Sequence, residues 1–255
     1  MSIPTKSNVG IAALIITLVM ATAAMAAWAQ NKGVDVAAEK KQVVQIKDAR
    51  LKIELNATDQ DAGVQVFIDA DPWKTMDIFD PKGKLVFRST TRGSFGLQGG
   101  TELFLESAEP NFDDLSFEEF LERFPAGNYS FVGRGLEGEV LKGTAKFTHT
   151  VPDGPVLLYP LDDVVVDPYN TVVMWQSVAA PNGSPIVGYQ VIVVKPDTGL
   201  LALPKIVLDV MMPATATSMT VPPGFLLPNS WYEWEVLAIE KGGNQTLSSA
   251  SFRTP

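Results

Sequence analysis

From Arg50 onward, apolar and polar residues alternate along the chain. Leu51, Ile53 and Leu55 alternate with Lys52 and Glu54, and Val64, Val66 and Ile68 recur on one face of the next segment. Successive side chains of a strand point to opposite faces, so this alternation predicts half-buried strands. Residues 76–79 and 85–87 flank Asp80-Pro81-Lys82-Gly83, where proline presets φ and glycine accepts a positive one, which predicts a hairpin. Further strands are expected at 102–106, 129–132 and 140–147. Only once does the period lengthen to that of a helix. Phe117, Phe120, Leu121 and Phe124 share one face, Ser116 and Glu119 make a capping box, and Pro125 and Gly127 end the run.

The segment Thr150-Val151-Pro152-Asp153-Gly154-Pro155 interrupts the pattern and reads as a domain boundary, leaving about 100 residues on either side, a common domain size. Beyond it, turn clusters such as Pro181-Asn182-Gly183-Ser184-Pro185 and Gly242-Gly243-Asn244 separate strands expected at 172–175, 186–194, 205–210, 218–221, 231–240 and 247–252. Strands at this spacing with no helix between them predict a sandwich. The expected fold class is therefore all-β: two tandem β-sandwiches over 48–150 and 151–255, with one short helix in the first.

Before the first strand, Lys6 precedes a stretch without charged side chains up to Lys32, and residues 11–27 are apolar apart from Thr17 and Thr22. A positive end, an apolar centre and the small-residue patterns Ala24-Met25-Ala26 and Ala27-Trp28-Ala29 form a signal-peptide layout over 1–29; an uncleaved anchor is the alternative. Both place the remainder outside the cytoplasm, in the periplasm, at the cell surface or secreted. Residues 30–47 read as a polar tether. The 255-residue chain carries a net charge of −9 and has one histidine and no cysteine. Without clustered Lys and Arg it is not expected to bind nucleic acid, and without cysteine its cores alone must hold it together.

In the second half, Val173-Met174-Trp175, Ile186-Val187-Gly188-Tyr189-Gln190-Val191 and Leu226-Leu227-Pro228-Asn229-Ser230-Trp231-Tyr232 stand in order, followed by inward alternation of Tyr232, Trp234, Val236 and Ala238. These motifs resemble a fibronectin type III domain over nearly its whole length. The resemblance implies a core of Trp175, Tyr189, Leu226, Pro228, Tyr232 and Trp234, with the Tyr232 hydroxyl returning to the upstream backbone. The apolar 200–203 stretch and Met211-Met212 depart from it. In the first half, the 77–86 hairpin and Pro125-Ala126-Gly127-Asn128-Tyr129 resemble bacterial Ig-like modules. Taken whole, the chain resembles exported bacterial proteins with one C-terminal fibronectin type III module, which transfers architecture and address but no catalytic residue.

Candidate chemistry adds little to this. Gly133-Arg134-Gly135-Leu136-Glu137-Gly138 matches a dinucleotide fingerprint, but a strand follows where a helix is required, so a glycine-rich hairpin is expected. The oxygen-rich Asn56-Ala57-Thr58-Asp59-Gln60-Asp61-Ala62-Gly63 reads as an Asx turn between strands rather than a calcium loop. His149 has no Gly-x-Ser-x-Gly elbow or cysteine to serve. No catalytic residue, cofactor or metal is assigned, and a glycan-active enzyme is the minor alternative. Residues 102–122 hold eight acids and no base; Glu118, Glu119 and Glu122 are a candidate face for a basic partner. On strand 231–240, Trp231, Leu237 and Ile239 occupy the face turned away from the core and are a second candidate patch, for a partner or the neighbouring domain. The expected role is non-catalytic binding or structure, toward another envelope or extracellular protein. A carbohydrate-binding or substrate-targeting accessory is the alternative, and the membrane would be met only through an uncleaved N-terminal segment.

Overall fold

Period-two segments dominate the fold as they dominate the sequence. The computed structural model of the protein describes residues 42–255, so the signal-peptide segment 1–29 and residues 30–41 lie outside the described residues. The remainder of the tether is ordered: Val43–Gln45 forms strand β1, parallel to 140–142, because Gln42 O accepts from the Val140 N–H and the Ile46 N–H reaches Lys142 O. Then follow β2 (Asp48–Asn56), β3 (Asp61–Phe79), β4 (Leu85–Thr90), helix α1 (Gly93–Gln98), β5 (Gly100–Glu106), helix α2 (Phe117–Arg123), β6 (Gly127–Gly135) and β7 (Val140–Phe147).

What the alternation reads as two segments, 64–69 and 76–79, is the single 19-residue strand β3. Its first half pairs with β2 and β5, and its second half with β4 and β6. The register breaks between Asp69 and Trp73, where Pro72 has no N–H to give and the strand passes from one sheet to the other. Ile53, Ile68, Met76, Ile78, Phe131 and Phe147 form the core between them, and Trp73 is buried with these. Helix α2 has the expected capping box, and Phe120 is its buried anchor. A second short helix, α1, was not expected: it has no side-chain cap and no buried residue, so neither helix signal marks it in the sequence.

The second sandwich contains β8 (Leu157–Tyr159), β9 (Val164–Val165), β10 (Val172–Trp175), β11 (Ile186–Lys195), β12 (Ile206–Pro213), β13 (Ser218–Thr220), β14 (Trp231–Glu240) and β15 (Gln245–Arg253). Sheet β13-β10-β8 faces sheet β12-β11-β14-β15, with β9 added beside β15. Three strands against four is a fibronectin type III-like sandwich. Between the sheets lie Trp175, Tyr189, Tyr232, Trp234 and Phe252, each at most 1% exposed. The Leu227 N–H donates to the Tyr232 hydroxyl at 2.7 Å, which fastens the corner entering β14. Pro228, implied by the resemblance to be a core residue, is exposed; its carbonyl accepts from Ser230 Oγ at 3.0 Å and shapes the turn instead.

The two sandwiches share one sheet. Strand β15 runs parallel to β2, with Gln245, Thr246 and Leu247 opposite Glu54, Leu55 and Asn56, so hydrogen bonding continues from one core to the other.

Candidate interaction surface at the junction

The junction is built on the turn between β14 and β15. Gly243 takes φ +99°, a conformation side chains disfavour, and a Cβ at Gly242 would lie 2.5 Å from Glu240 Oε1. Buried Glu240 organises this turn: Oε2 accepts from Gly242 N–H at 2.7 Å and Ser184 Oγ at 2.5 Å, and Oε1 accepts from Asn244 N–H at 3.2 Å. The turn thereby carries Asn244, 1% exposed, into the first sandwich. There Asn244 Oδ1 accepts from the Ile53 N–H at 2.8 Å, while Nδ2 donates to Thr148 O, Thr148 Oγ1 and Thr150 O at 3.1, 2.9 and 2.7 Å. One carboxamide ties β2, the interdomain connection and β15 together. Thr246 Oγ1 adds a bond to Pro152 O at 2.6 Å, and Thr58 and Ser249 are bonded across the joint.

Beside this joint lies a groove of about 530 Å³, lined by 49–52 of β2, 144–146 of β7, Gln190, Met211, Ile239, Gly242, Gly243 and Gln245. Arg50, Lys52 and Lys146 are its charged lining residues. Lys52 Nζ donates to Gln245 Oε1 at 2.8 Å, and burial lowers its pKa. Arg50 pairs with Asp48 at 3.0 Å, and its guanidinium lies 4.4 Å from the centre of the Phe67 ring.

Farther along β2, three carboxylates that the sequence separates are brought together. Ligand oxygens of Glu54, Glu106 and Glu109 lie within 4.8 Å of one another. Glu109 folds over Gly63, where a Cβ would meet its Oε1 at 2.7 Å. Burial against that backbone, then Glu106, Asp61 and Glu54, push the Glu109 pKa up to about 7. Such a group has the chemistry to attract a hard cation. However, Glu106 already accepts from Gln65 Nε2 at 2.7 Å, and Glu54 accepts from Gln245 Nε2. In the neighbouring turn, Asn56 Oδ1 accepts from the Thr58 and Asp59 N–H groups at 3.0 Å, which is the Asx geometry its sequence suggests.

The residues singled out in the sequence are dispersed. Glu118, Glu119 and Glu122 are exposed on α2, but Glu119 is committed to the cap: it accepts from Ser116 N–H and Oγ, bonds that lower its pKa. Trp231 is 40% exposed at one end of β14, Ile239 is half-buried at the other, and Leu237 is only 3% exposed. Eight positions along a strand put Trp231 and Ile239 about 26 Å apart, so they share no patch. Leu237 stands between Gln190 and Leu247 in the register, on the face that the shared sheet carries toward the junction. His149 Nε2 lies 2.8 Å from Phe124 O, with its ring edge-on to Phe147. The glycine-rich 133–138 segment runs from the end of β6 into the β6–β7 turn, where Gly135 N–H donates to Glu139 O. Asn244 and Glu54 were missed; nothing in the sequence distinguishes the first from an ordinary turn residue or the second from an ordinary outer-face position.

No protein family and no curated protein matches the sequence. Among solved structures the chain is similar to the chicken CNTN1 FN1-FN3 domains, at 12% identity over 84% of this chain and 65% of that one, with a TM-score of 0.31. It is also similar to a tetra-tandem repeat in the extending region of a large adhesion protein, at 14% identity over 80% of this chain and 48% of that one, with a TM-score of 0.27. The chain thus spans less than two thirds of either neighbour, and likenesses of this extent assign it no partner. Among the described residues no helix is long and apolar enough to cross a membrane.

Proposed function

We propose that the chain is an exported, non-catalytic two-module protein that holds its sandwiches in a fixed mutual orientation and presents their faces to another envelope or extracellular protein. The observation that carries this reading is the junction: a shared sheet and a buried carboxamide join the modules where a simple tether would leave them free to move. Export rests on the layout of residues 1–29. A protein partner is favoured over a glycan because Trp73, Trp175 and Trp234 are buried in the cores, leaving Trp231 as the exposed tryptophan among the described residues. Residual dipolar couplings test the fixed orientation: one alignment tensor should fit both sandwiches, and two of different magnitude would refute it. Mass spectrometry of protein from the native host should find a mature terminus at Ala27 or Gln30; an intact Met1 in a membrane fraction would support the anchor reading instead.

A further inference from the structure

The connection between β11 and β12 carries apolar side chains that neither core uses. Leu201 is 100% exposed, Leu200 60% and Leu203 50%. Leu200 and Leu203 are bridge partners, and the Leu203 N–H donates to Leu200 O at 3.1 Å, so Leu200-Leu201-Ala202-Leu203 is a closed turn. Turns that face water are built from Gly, Pro, Asn, Asp and Ser, and turn geometry gives no reason for leucine. The tip also satisfies much of its own backbone. The Thr198 N–H donates to Pro204 O at 3.2 Å, the Gly199 N–H to Asp197 Oδ1 at 2.7 Å and the Leu200 N–H to Thr198 Oγ1 at 3.2 Å, while Thr198 Oγ1 donates to Leu203 O. Pro196 and Pro204 have no N–H to satisfy. Few polar groups here depend on water, which is the condition for backbone to enter hydrocarbon.

Strand register fixes what lies at the base of this tip. Lys195 stands opposite Ile206, which puts Lys205 level with Pro196. Across the other ladder Val194 stands opposite Glu233, which puts the exposed Trp231 level with Pro196 as well. Leu200 lies four residues further out, at most about 13 Å at about 3.3 Å per residue. Tryptophan and lysines at one level, with leucines beyond them, match the two zones of a lipid leaflet: the first suit the headgroups and the second the acyl chains. The joint with the first sandwich is at the opposite end of β14, so the tip points away from it.

We propose that the β11–β12 hairpin inserts its leucines into a phospholipid bilayer, with Lys195, Lys205 and Trp231 at the level of the headgroups. A bilayer is favoured over a protein pocket because the tip protrudes with Leu201 uncovered on every side, and a fluid surface meets all sides of such a tip at once. Asp197, the acid at the neck, is engaged by the Gly199 N–H. This goes beyond the protein-binding reading and does not depend on residues 1–29.

The chain has no cysteine, so Ala202→Cys provides a single attachment point for an environment-sensitive fluorophore and keeps all three leucines. Vesicles of phosphatidylcholine and phosphatidylglycerol, titrated into the labelled full-length chain up to about 5 mM lipid, should shift its emission to the blue; a few leucines hold no more tightly than one acyl chain, which sets that concentration. Lipids brominated along their acyl chains should quench it. The same label on Lys82→Cys, in the β3–β4 turn of the first sandwich, should not respond, which separates the tip from any anchoring by residues 1–29. Combining Leu200→Ser with Leu201→Ser should reduce the response at least about tenfold, and combining Lys195→Gln with Lys205→Gln at least about threefold. The proposal is overturned if the label at 202 is silent at the highest lipid concentration, if brominated lipids do not quench it, or if either pair of substitutions leaves the response as in the parent. A blue shift that follows protein concentration without vesicles would make the hairpin a contact between copies and overturn it too. Each of these results leaves the alignment-tensor test of the joint unaffected.

Discussion

Replacing Asn244 with alanine should uncouple the two sandwiches. The side chain is buried and makes four bonds, to Ile53 N–H, Thr148 O, Thr148 Oγ1 and Thr150 O. Alanine removes all four and leaves the Ile53 N–H without an acceptor in a residue that is fully buried. An orphaned buried donor costs about 1–3 kcal/mol, and the lost bonds to the connection add to it, so a total of about 3–4 kcal/mol is expected. For a unit of this size each kcal/mol lowers Tm by about 2–4 °C, which gives a fall of about 6–16 °C. Differential scanning calorimetry should show one transition for the parent, and for the variant a lower transition that splits as the modules unfold separately. Asn244→Asp keeps an acceptor for Ile53 but sets a carboxylate against Thr148 O and Thr150 O, so its destabilisation should grow as that group ionises above about pH 4. A single transition within about 2 °C of the parent in the alanine variant would refute the joint as described.

Trp175→Ala should destabilise the second sandwich by about 3–5 kcal/mol, because the ring fills the core beside Tyr189 at 5.6 Å; parent-like melting would contradict this packing. Tyr232→Phe should cost on the order of 1–2 kcal/mol in denaturant unfolding, since the Leu227 N–H loses its acceptor. The Glu109 pKa near 7, against 4.5 for an ordinary glutamate, means the folded state binds that proton more tightly. Stability should therefore rise as pH falls from about 7 toward 4.5. Glu109→Gln should flatten that part of the Tm profile, and an unchanged profile would remove Glu109 as the cause. Millimolar calcium should leave Tm nearly unchanged, because Glu54 and Glu106 already accept from glutamine amides; a clear rise abolished by Glu106→Gln would identify a metal site.

Local patterns were legible in the sequence. Alternation in 51–55, 172–175 and 231–240 located strands and their inward faces, and Ser116 with Glu119 located a helix start, because both depend on residues a few positions apart. Alternation could not reveal that β3 is continuous, since Pro72 resembles a break until the two sheets it joins are known. It also identified the outer face of β14 but not what becomes of that face. Leu237 reads as exposed, yet it is buried where the shared sheet runs toward the first sandwich. Asn244 reads as a turn residue because its partners Thr150 and Ile53 lie 94 and 191 positions away. The sequence determined most of the longer strands and, Pro228 apart, the core residues named for the second sandwich, since side-chain period and burial are set by near neighbours; the short strands β1, β8 and β9 carry too few residues to show a period. The joint, the groove beside it and the gathering of Glu54, Glu106 and Glu109 were decided by tertiary structure alone, because strand register and the meeting of distant backbones leave no local pattern.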